Sequence, residues 1–159
     1  MSQFTQVARL VRFGADDFAF QLGHIPEEKL DWKPDPASKS AMQVTGEVIG
    51  VMRSQIKMVR TGVVEISDLT PPASLAEALQ ELAAVAEEYA SALETADEAA
   101  LARALETPFG PLWGEYGVTF GLVDLLHHHG QLTYIQSLLG DSENHMDGGM
   151  VGRWFGPPQ

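Results

Sequence analysis

Residues 120–139 have the sequence FGLVDLLHHHGQLTYIQSLL, and this stretch determines which fold the chain can adopt. It has the length of a bundle helix and is mostly apolar, but it contains three consecutive histidines and one carboxylate, Asp124. At about 100° of rotation per residue, Asp124 and His128 lie one turn apart on the same side. We expect that side to face the core, within an apolar arc made of Phe120, Leu132, Tyr134, Ile135, Leu138 and Leu139.

A carboxylate that faces an apolar core needs a partner, because its burial costs several kcal/mol unless it is paired, protonated or bound to a cation. One interpretation is an Asp124–His128 ion pair with a purely structural role. The other is a metal site, which requires a third ligand. His127 replaces His128 as the candidate if the helix is rotated slightly, whereas His129 faces the opposite side, toward the surface or an interface.

Glu47 is the candidate for the third ligand. It lies among Val44, Val48 and Val51, along the apolar stripe of a second predicted helix. The alternative is that Glu47 lies at the edge of this stripe, reaches water and pairs with Arg53 or Lys57.

Three other segments have apolar residues at helical spacing, namely residues 4–22, 42–61 and 75–93. The second of these helices is expected to start at a Ser38 or Ser40 cap and to end at Gly62. The third is expected to start at Ser74, with Glu77 completing a capping box.

The connection to the fourth helix is expected to be extended, because Pro108 and Pro111 do not fit inside a helix. The fourth helix should then begin between residues 115 and 119 and end at Gly140. The pattern predicts one all-α domain over residues 1–159, a four-helix bundle with one long crossover connection. Residues 141–159 are expected to pack back on its body through Trp154 and Phe155.

Composition limits the function. The 159 residues are 45% hydrophobic, which indicates a folded chain, and the formal net charge of −12 argues against nucleic acid and anionic membranes as partners. The chain has no cysteine, so a disulfide framework, a thiolate metal site and a cysteine nucleophile are excluded. It also has neither a signal peptide nor an apolar run long enough for a membrane span, so we expect a cytoplasmic protein.

Three segments resemble the DinB/YfiT-like superfamily, and together they extend over nearly the whole chain. The most specific segment is HHGQL at residues 128–132, which is similar to the "HxxxH(R)GQ" signature of that family. The others are HIPEEKLDWKP at residues 24–34 and the start of the second helix at residues 40–49. The resemblance implies a small four-helix-bundle protein.

In the family, one histidine of the second helix and two histidines of the fourth coordinate a divalent metal. The resemblance places Glu47, Asp124 and His128 at these three positions, so two of the three ligands differ from histidine. Two carboxylates cancel the charge of a divalent ion, which weakens its polarising effect and favours harder ions.

The resemblance further implies a divalent ion, Zn, Ni, Mn or Fe, and transfer to or from a low-molecular-weight thiol, or a hydrolase-like reaction. A thiol or another small molecule is the expected ligand, and a homodimer is the expected assembly. The alternative is a non-catalytic, stress-associated binding protein whose metal site has degenerated. No general base can be assigned from the sequence.

Overall fold

The computed structural model describes residues 3–108, 110–143, 145 and 152. Its elements in chain order are α1 (Gln3–Leu22), a 3-10 turn (Glu27–Lys29), α2 (Ala41–Thr61), α3 (Leu75–Glu94), α4 (Glu98–Leu101), β1 (Ala104–Leu105), β2 (Leu112–Trp113), α5 (Gly114–Gly117) and α6 (Phe120–Leu138). The prediction of an all-α fold with four long helices is confirmed. Among the described residues, no helix is long and apolar enough to cross a membrane.

The four long helices form a bundle in which consecutive helices are not always neighbours. Helix α1 packs against α3 and α6, and α2 packs against the same two helices. Helices α1 and α2 therefore occupy opposite corners, and the chain between them crosses the bundle. Large side chains from all four helices fill the core, including Phe4, Phe18, Met52, Leu82, Tyr89 and Leu125.

Helix boundaries follow the capping residues. Ser40 caps α2 and forms a full capping box with Gln43, and Gly62 ends the helix at a φ of 71°. Ser74 caps α3 as expected and accepts a hydrogen bond from the amide of Glu77. The predicted capping box at this helix is incomplete, because the Glu77 carboxylate instead accepts from the amide of Ala73.

The segment before α6 differs from the expectation of one continuous helix. Strands β1 and β2 form a two-residue antiparallel ladder, which the sequence pattern did not indicate. The short helix α5 follows, and a turn at Val118 separates it from α6. The buried Tyr89 hydroxyl donates a hydrogen bond to the Val118 carbonyl, and this bond fixes the turn against α3. Gly140, with a φ of 93°, follows the end of α6 as predicted.

The predicted core-facing arc of α6 is wrong in part. Phe120, Tyr134 and Leu138 were expected inside but are 50%, 64% and 42% exposed. The buried face consists of Gly121, Leu125, His128, Leu132, Ile135 and Gln136. Apolar residues of α6 point to nearly all sides of the helix, so hydrophobicity does not mark one face. Packing against α1 and α2 determines which face is buried.

Ion pairs join the helices at their exposed edges. Arg12 of α1 binds Glu87 and Glu94 of α3. Arg53 and Arg60 of α2 also bind carboxylates of α3, those of Glu81 and Glu88. Between α1 and α6, His129 Nε2 lies 3.0 Å from Asp17 Oδ2. The acidic residues of α3 therefore take part in helix contacts as well as in solvation, although each exposed pair contributes little stability.

The prediction that residues 141–159 pack on the body through Trp154 and Phe155 falls on residues outside the described part of the chain. Within that part, the His145 ring stacks on the ring of His24, with centroids 3.9 Å apart. The His145 carbonyl also accepts a hydrogen bond from Gln21 of α1.

Two glycines let the connection between α2 and α3 lie directly on α2. A Cβ at Gly46 would be 2.8 Å from the Leu69 carbonyl oxygen, and one at Gly50 would be 2.5 Å from the Asp68 carbonyl oxygen. No other residue type fits these distances without moving the backbone. The glycines therefore hold the connection against the face of α2 that flanks Glu47.

We expect Gly50→Ala to lower the free energy of unfolding by about 1–3 kcal/mol, because the overpacking against backbone exceeds the helix-propensity gain of alanine. Urea unfolding monitored by circular dichroism measures the change. Gly130→Ala is the matched control, since Gly130 lies inside α6 with open space around its Cβ position. It should raise stability by up to about 1 kcal/mol. A gain of stability in both variants would contradict the close approach.

The contact with Asp17 generates a pH prediction. The adjacent imidazole of His129, 3.0 Å away, holds the pKa of the Asp17 carboxyl below its ordinary value, against the opposing effect of burial. The resulting stabilisation is present above the unfolded-state pKa of about 3.9 and is lost as the pH falls through the lower folded-state pKa. Asp17→Asn should therefore destabilise the protein by up to about 1 kcal/mol near neutral pH.

The difference between wild-type protein and Asp17→Asn should shrink as the pH is lowered from about 6 to about 3. Urea unfolding across this range measures it, and Asp31→Asn, at an exposed position, is the control. A difference that persists at the acid end would show that the contact does not depend on the charge of Asp17.

Candidate metal centre

The structure brings the three predicted ligands together between α2 and α6. His128 Nε2 lies 3.5 Å from Asp124 Oδ1, one turn earlier on α6, and 3.6 Å from Glu47 Oε2 on α2. The His128 side chain is 7% exposed, that of Asp124 13% and that of Glu47 21%. Two carboxylates and one imidazole thus meet at a partly desolvated point. We call these three residues the Glu–Asp–His cluster.

Asp124 is the least satisfied member of the cluster. Its Oδ2 atom is buried and has no hydrogen-bond partner in the structure. An unpaired buried carboxylate oxygen carries a desolvation penalty of at least about 1–3 kcal/mol. This oxygen therefore requires a proton, a water molecule or a cation.

Gln131 orients the imidazole of His128. His128 Nδ1 donates to Gln131 Oε1 at 2.8 Å, and Gln131 Nε2 donates to His127 Nε2 at 3.1 Å. With its proton on Nδ1, neutral His128 presents the lone pair of Nε2 to the two carboxylates. Metal-binding histidines are commonly held in this way by a second hydrogen bond.

His127 is exposed, whereas His128 is buried at the cluster. The geometry therefore favours His128 as the candidate ligand of α6. His127 instead accepts the hydrogen bond that fixes the amide of Gln131.

Competing effects act on the charge of His128. Burial lowers the pKa of its imidazole, but the hydrogen bonds with Asp124 and Gln131 and the charges of Asp124 and Glu47 together hold that pKa above its ordinary value. The two nearby carboxylates thus favour a cation at this position.

The sequence pattern did not indicate Lys39 as a partner of Glu47. Its ammonium group contacts both carboxylate oxygens of Glu47. The expected alternatives are engaged elsewhere, since Arg53 binds Glu81 and Lys57 binds Glu65. Lys39 lies just before the Ser40 cap, outside the helical repeat, so no periodicity indicates its contact with Glu47.

The cluster fits a divalent ion in its donor chemistry, since carboxylate oxygens and a histidine nitrogen are common ligands. Ligands at about 2.0–2.2 Å from one ion lie roughly 3 to 3.5 Å from each other, close to the two distances from His128 Nε2. In the described part of the chain, no group of three or more His, Asp or Glu side chains is arranged so that it could hold a metal ion, so these three side chains would have to move closer together to bind one. Binding of an ion therefore requires at least that the Lys39–Glu47 contact opens.

A cavity of about 330 Å³ lies next to two residues that contact the cluster, although Glu47, Asp124 and His128 do not line it themselves. Lys39, which binds Glu47, and Gln131, which binds His128, both line it. The other lining residues are Pro34, Ala37, Ser38, Val44, Tyr134 and Ile135. A larger cavity of about 430 Å³ lies near the C-terminal end of α2, is lined by Arg60 and Arg103 among others, and contains no member of the cluster.

Trp113, Glu115 and Tyr116 lie in β2 and α5, just before α6. Trp113 Nε1 donates to Glu115 Oε2 at 3.2 Å, and Tyr116 is 71% exposed. None of the three lines the cavity beside the cluster. The side-chain partners of Gln131 are His127 and His128 of its own helix.

Comparisons with known proteins agree with the observed architecture. The fold is similar to that of the DinB-like protein YjoA from Bacillus subtilis, with a TM-score of 0.67 and 15% sequence identity, over 87% of this chain and 94% of that one. No curated protein matches the sequence significantly. The sequence model of the DinB superfamily matches residues 12–132, which include all three members of the cluster. The chain belongs to the DinB superfamily.

Proposed function

We propose that this protein binds a divalent metal ion through Glu47, Asp124 and His128. The observation that carries the proposal is the Asp124 carboxylate, whose Oδ1 lies 3.5 Å from His128 Nε2 and whose buried Oδ2 has no hydrogen-bond partner. Helices α2 and α6 supply the three side chains, and the hydrogen bond from Gln131 fixes the direction of His128. A cation in this position would satisfy the buried carboxylate without an added hydrogen-bond donor.

The reaction we propose is transfer to or from a low-molecular-weight thiol, or a hydrolase-like reaction. A bound divalent ion would supply Lewis acidity that lowers the pKa of a thiol or of water. The thiol has to come from outside, since the chain contains no cysteine. The cavity between Lys39, Gln131 and Tyr134 would place a small molecule beside two residues that contact the cluster, Lys39 and Gln131.

A second candidate function is non-catalytic binding, with the cluster as a degenerate metal site. The Lys39–Glu47 contact favours this alternative, because the ammonium group already neutralises one of the two carboxylates. In this case the cluster stabilises the interface of α2 and α6 and needs no ion.

We also propose that the protein forms a homodimer through the outer face of α6. This face carries Phe120, Val123, Leu126 and Leu138, all between 42% and 59% exposed. They recur at the spacing of a helix–helix contact, and Asp124 is the only Asp, Glu, Lys or Arg of the helix. A second copy of the chain suits this face. Two chains with a net charge of −12 each repel one another, but two uncharged faces can meet without bringing carboxylates together.

Metal binding is tested by comparing wild-type protein with Asp124→Asn. We expect Mn²⁺ or Zn²⁺ to bind the wild type at about one ion per chain and to raise its unfolding temperature. Asp124→Asn should weaken binding by at least about tenfold, because it removes the charge of a direct ligand. Calorimetric titration and elemental analysis of the purified protein measure the two effects.

The control for this experiment is Asp31→Asn, which makes the same chemical change at an exposed position and should bind the ion as the wild type does. An unfolding temperature that no divalent ion changes, together with a metal-free protein, would exclude the ion and favour the degenerate-site alternative.

The proposed dimer is tested with Val123→Glu. Val123 is 59% exposed on the outer face of α6, so the substitution should leave the bundle folded and place one carboxylate of each copy in the interface. We expect sedimentation to show a dimer for the wild type and a monomer for the variant. The matched control is Ile66→Glu, at a 62% exposed position in the connection between α2 and α3. A wild-type monomer at tens of micromolar would refute the dimer.

A further inference from the structure

Lys39 contacts the Glu–Asp–His cluster through the carboxylate of Glu47, and its side chain is exposed enough to move away from that carboxylate. It is 50% exposed, whereas the Glu47 side chain is 21% exposed. It also precedes α2 instead of belonging to it, so its movement does not disturb a helix. Partly exposed lysine–carboxylate pairs contribute little stability, and little opposes their exchange for another cation.

We propose that Lys39 is an exchangeable counter-cation for the cluster. It neutralises Glu47 while no metal ion is bound. When a divalent ion binds Glu47, the ammonium group of Lys39 leaves this carboxylate and moves into the adjoining cavity. There it binds the carboxylate of a small ligand that also has an aromatic ring. This inference rests on the proposed function, since it requires an ion at the cluster.

An ion would compete with Lys39 for Glu47. The ammonium group contacts both oxygens of the carboxylate, and one of these, Oε2, is the oxygen that faces His128 Nε2. An ion held by Glu47 and His128 would have to occupy the same space next to Oε2. Two cations at contact distance also repel each other, so binding of one weakens binding of the other.

The adjoining cavity suits the displaced ammonium group. Lys39 already forms part of its wall, and among the described residues that line it no other side chain is charged. A lysine that has left Glu47 therefore finds no carboxylate there. It would need a negatively charged ligand to restore a charge partner.

The rest of the cavity determines what that ligand looks like. Pro34, Val44 and Ile135 give it apolar walls, and Tyr134 offers an exposed aromatic ring. Gln131 adds an amide near the cluster. A volume of about 330 Å³ accommodates a small molecule with one ring, and apolar walls with few polar groups are typical of ligand sites.

Linkage makes the inference measurable. If the ion releases Lys39 for the anion, each of the two ligands strengthens the binding of the other by the same factor. The probes are Mn²⁺ for the ion, benzoate for the carboxylate ligand and benzamide as its uncharged analogue. The variants are Lys39→Gln and, as a matched control in the same loop, Lys33→Gln.

We expect Lys39→Gln to bind Mn²⁺ about tenfold more tightly than the wild type, because it lacks the competing cation. Lys33→Gln should bind Mn²⁺ as the wild type does, which shows that net charge alone is not the cause. Benzoate should bind the wild type about tenfold more tightly with Mn²⁺ than without it. This gain should be absent for benzamide and in Lys39→Gln. Calorimetric titration provides all these affinities.

The failures are distinguishable. Equal Mn²⁺ affinity in wild type and Lys39→Gln overturns the exchange and leaves the ion site intact. Benzoate coupling that persists in Lys39→Gln shows that the carboxylate binds the ion itself and overturns the role of Lys39. If neither protein binds Mn²⁺ or Zn²⁺, the proposed function fails, and the exchange fails with it.

Discussion

The contact between α2 and α6 depends on how two carboxylates are neutralised beside one imidazole. Glu47 and Asp124 approach His128 Nε2 from different helices in a region where little water reaches them. Like charges in such a place raise each other's energy unless cations are present. Every neighbouring feature of the site can be understood as a response to this constraint. Lys39 contacts Glu47, Gln131 orients His128, and the free oxygen of Asp124 remains available to a further partner.

The same helix that carries the cluster also has an apolar outer face, and the two features are connected. Apart from Asp124, α6 has no Asp, Glu, Lys or Arg, so the partner of this carboxylate within the helix is the imidazole of His128, one turn later. Its outer face carries no Asp, Glu, Lys or Arg and, in the described part of the chain, leaves Phe120, Val123 and Leu126 exposed. The helix thus places one charged cluster inward and one uncharged face outward.

The sequence predicted most of the fold because caps and prolines are local signals. Helix α2 begins after Ser40 and ends before Gly62 as expected, since a cap acts through the nearest few backbone groups. The β1–β2 ladder was not predicted, because two-residue strands carry no alternation to detect. The buried face of α6 was wrongly placed for a related reason. When apolar residues occur all round a helix, only its neighbours determine which side is buried.

All three members of the Glu–Asp–His cluster could be predicted from the sequence, whereas its contact with Lys39 could not. Asp124 and His128 were found because a carboxylate in an apolar helix demands an explanation, and i,i+4 spacing supplies a partner. Glu47 was found by the same reasoning in α2, with support from the family resemblance. Lys39 was missed because its contact with Glu47 depends on how a loop enters the helix, which no periodic pattern encodes.

Charge balance connects the two candidate functions. In the ion-free protein, Lys39 and an imidazolium at His128 would neutralise the two carboxylates, and the raised pKa of His128 agrees with that state. With a divalent ion bound, the ion alone would neutralise the same carboxylates, and His128 would be neutral because its Nε2 lone pair is a ligand. Both states are electrically balanced, so the bundle can exist in either. An ion so fully compensated polarises water or thiol less than one held by three imidazoles, which favours modest catalysis over strong Lewis acidity.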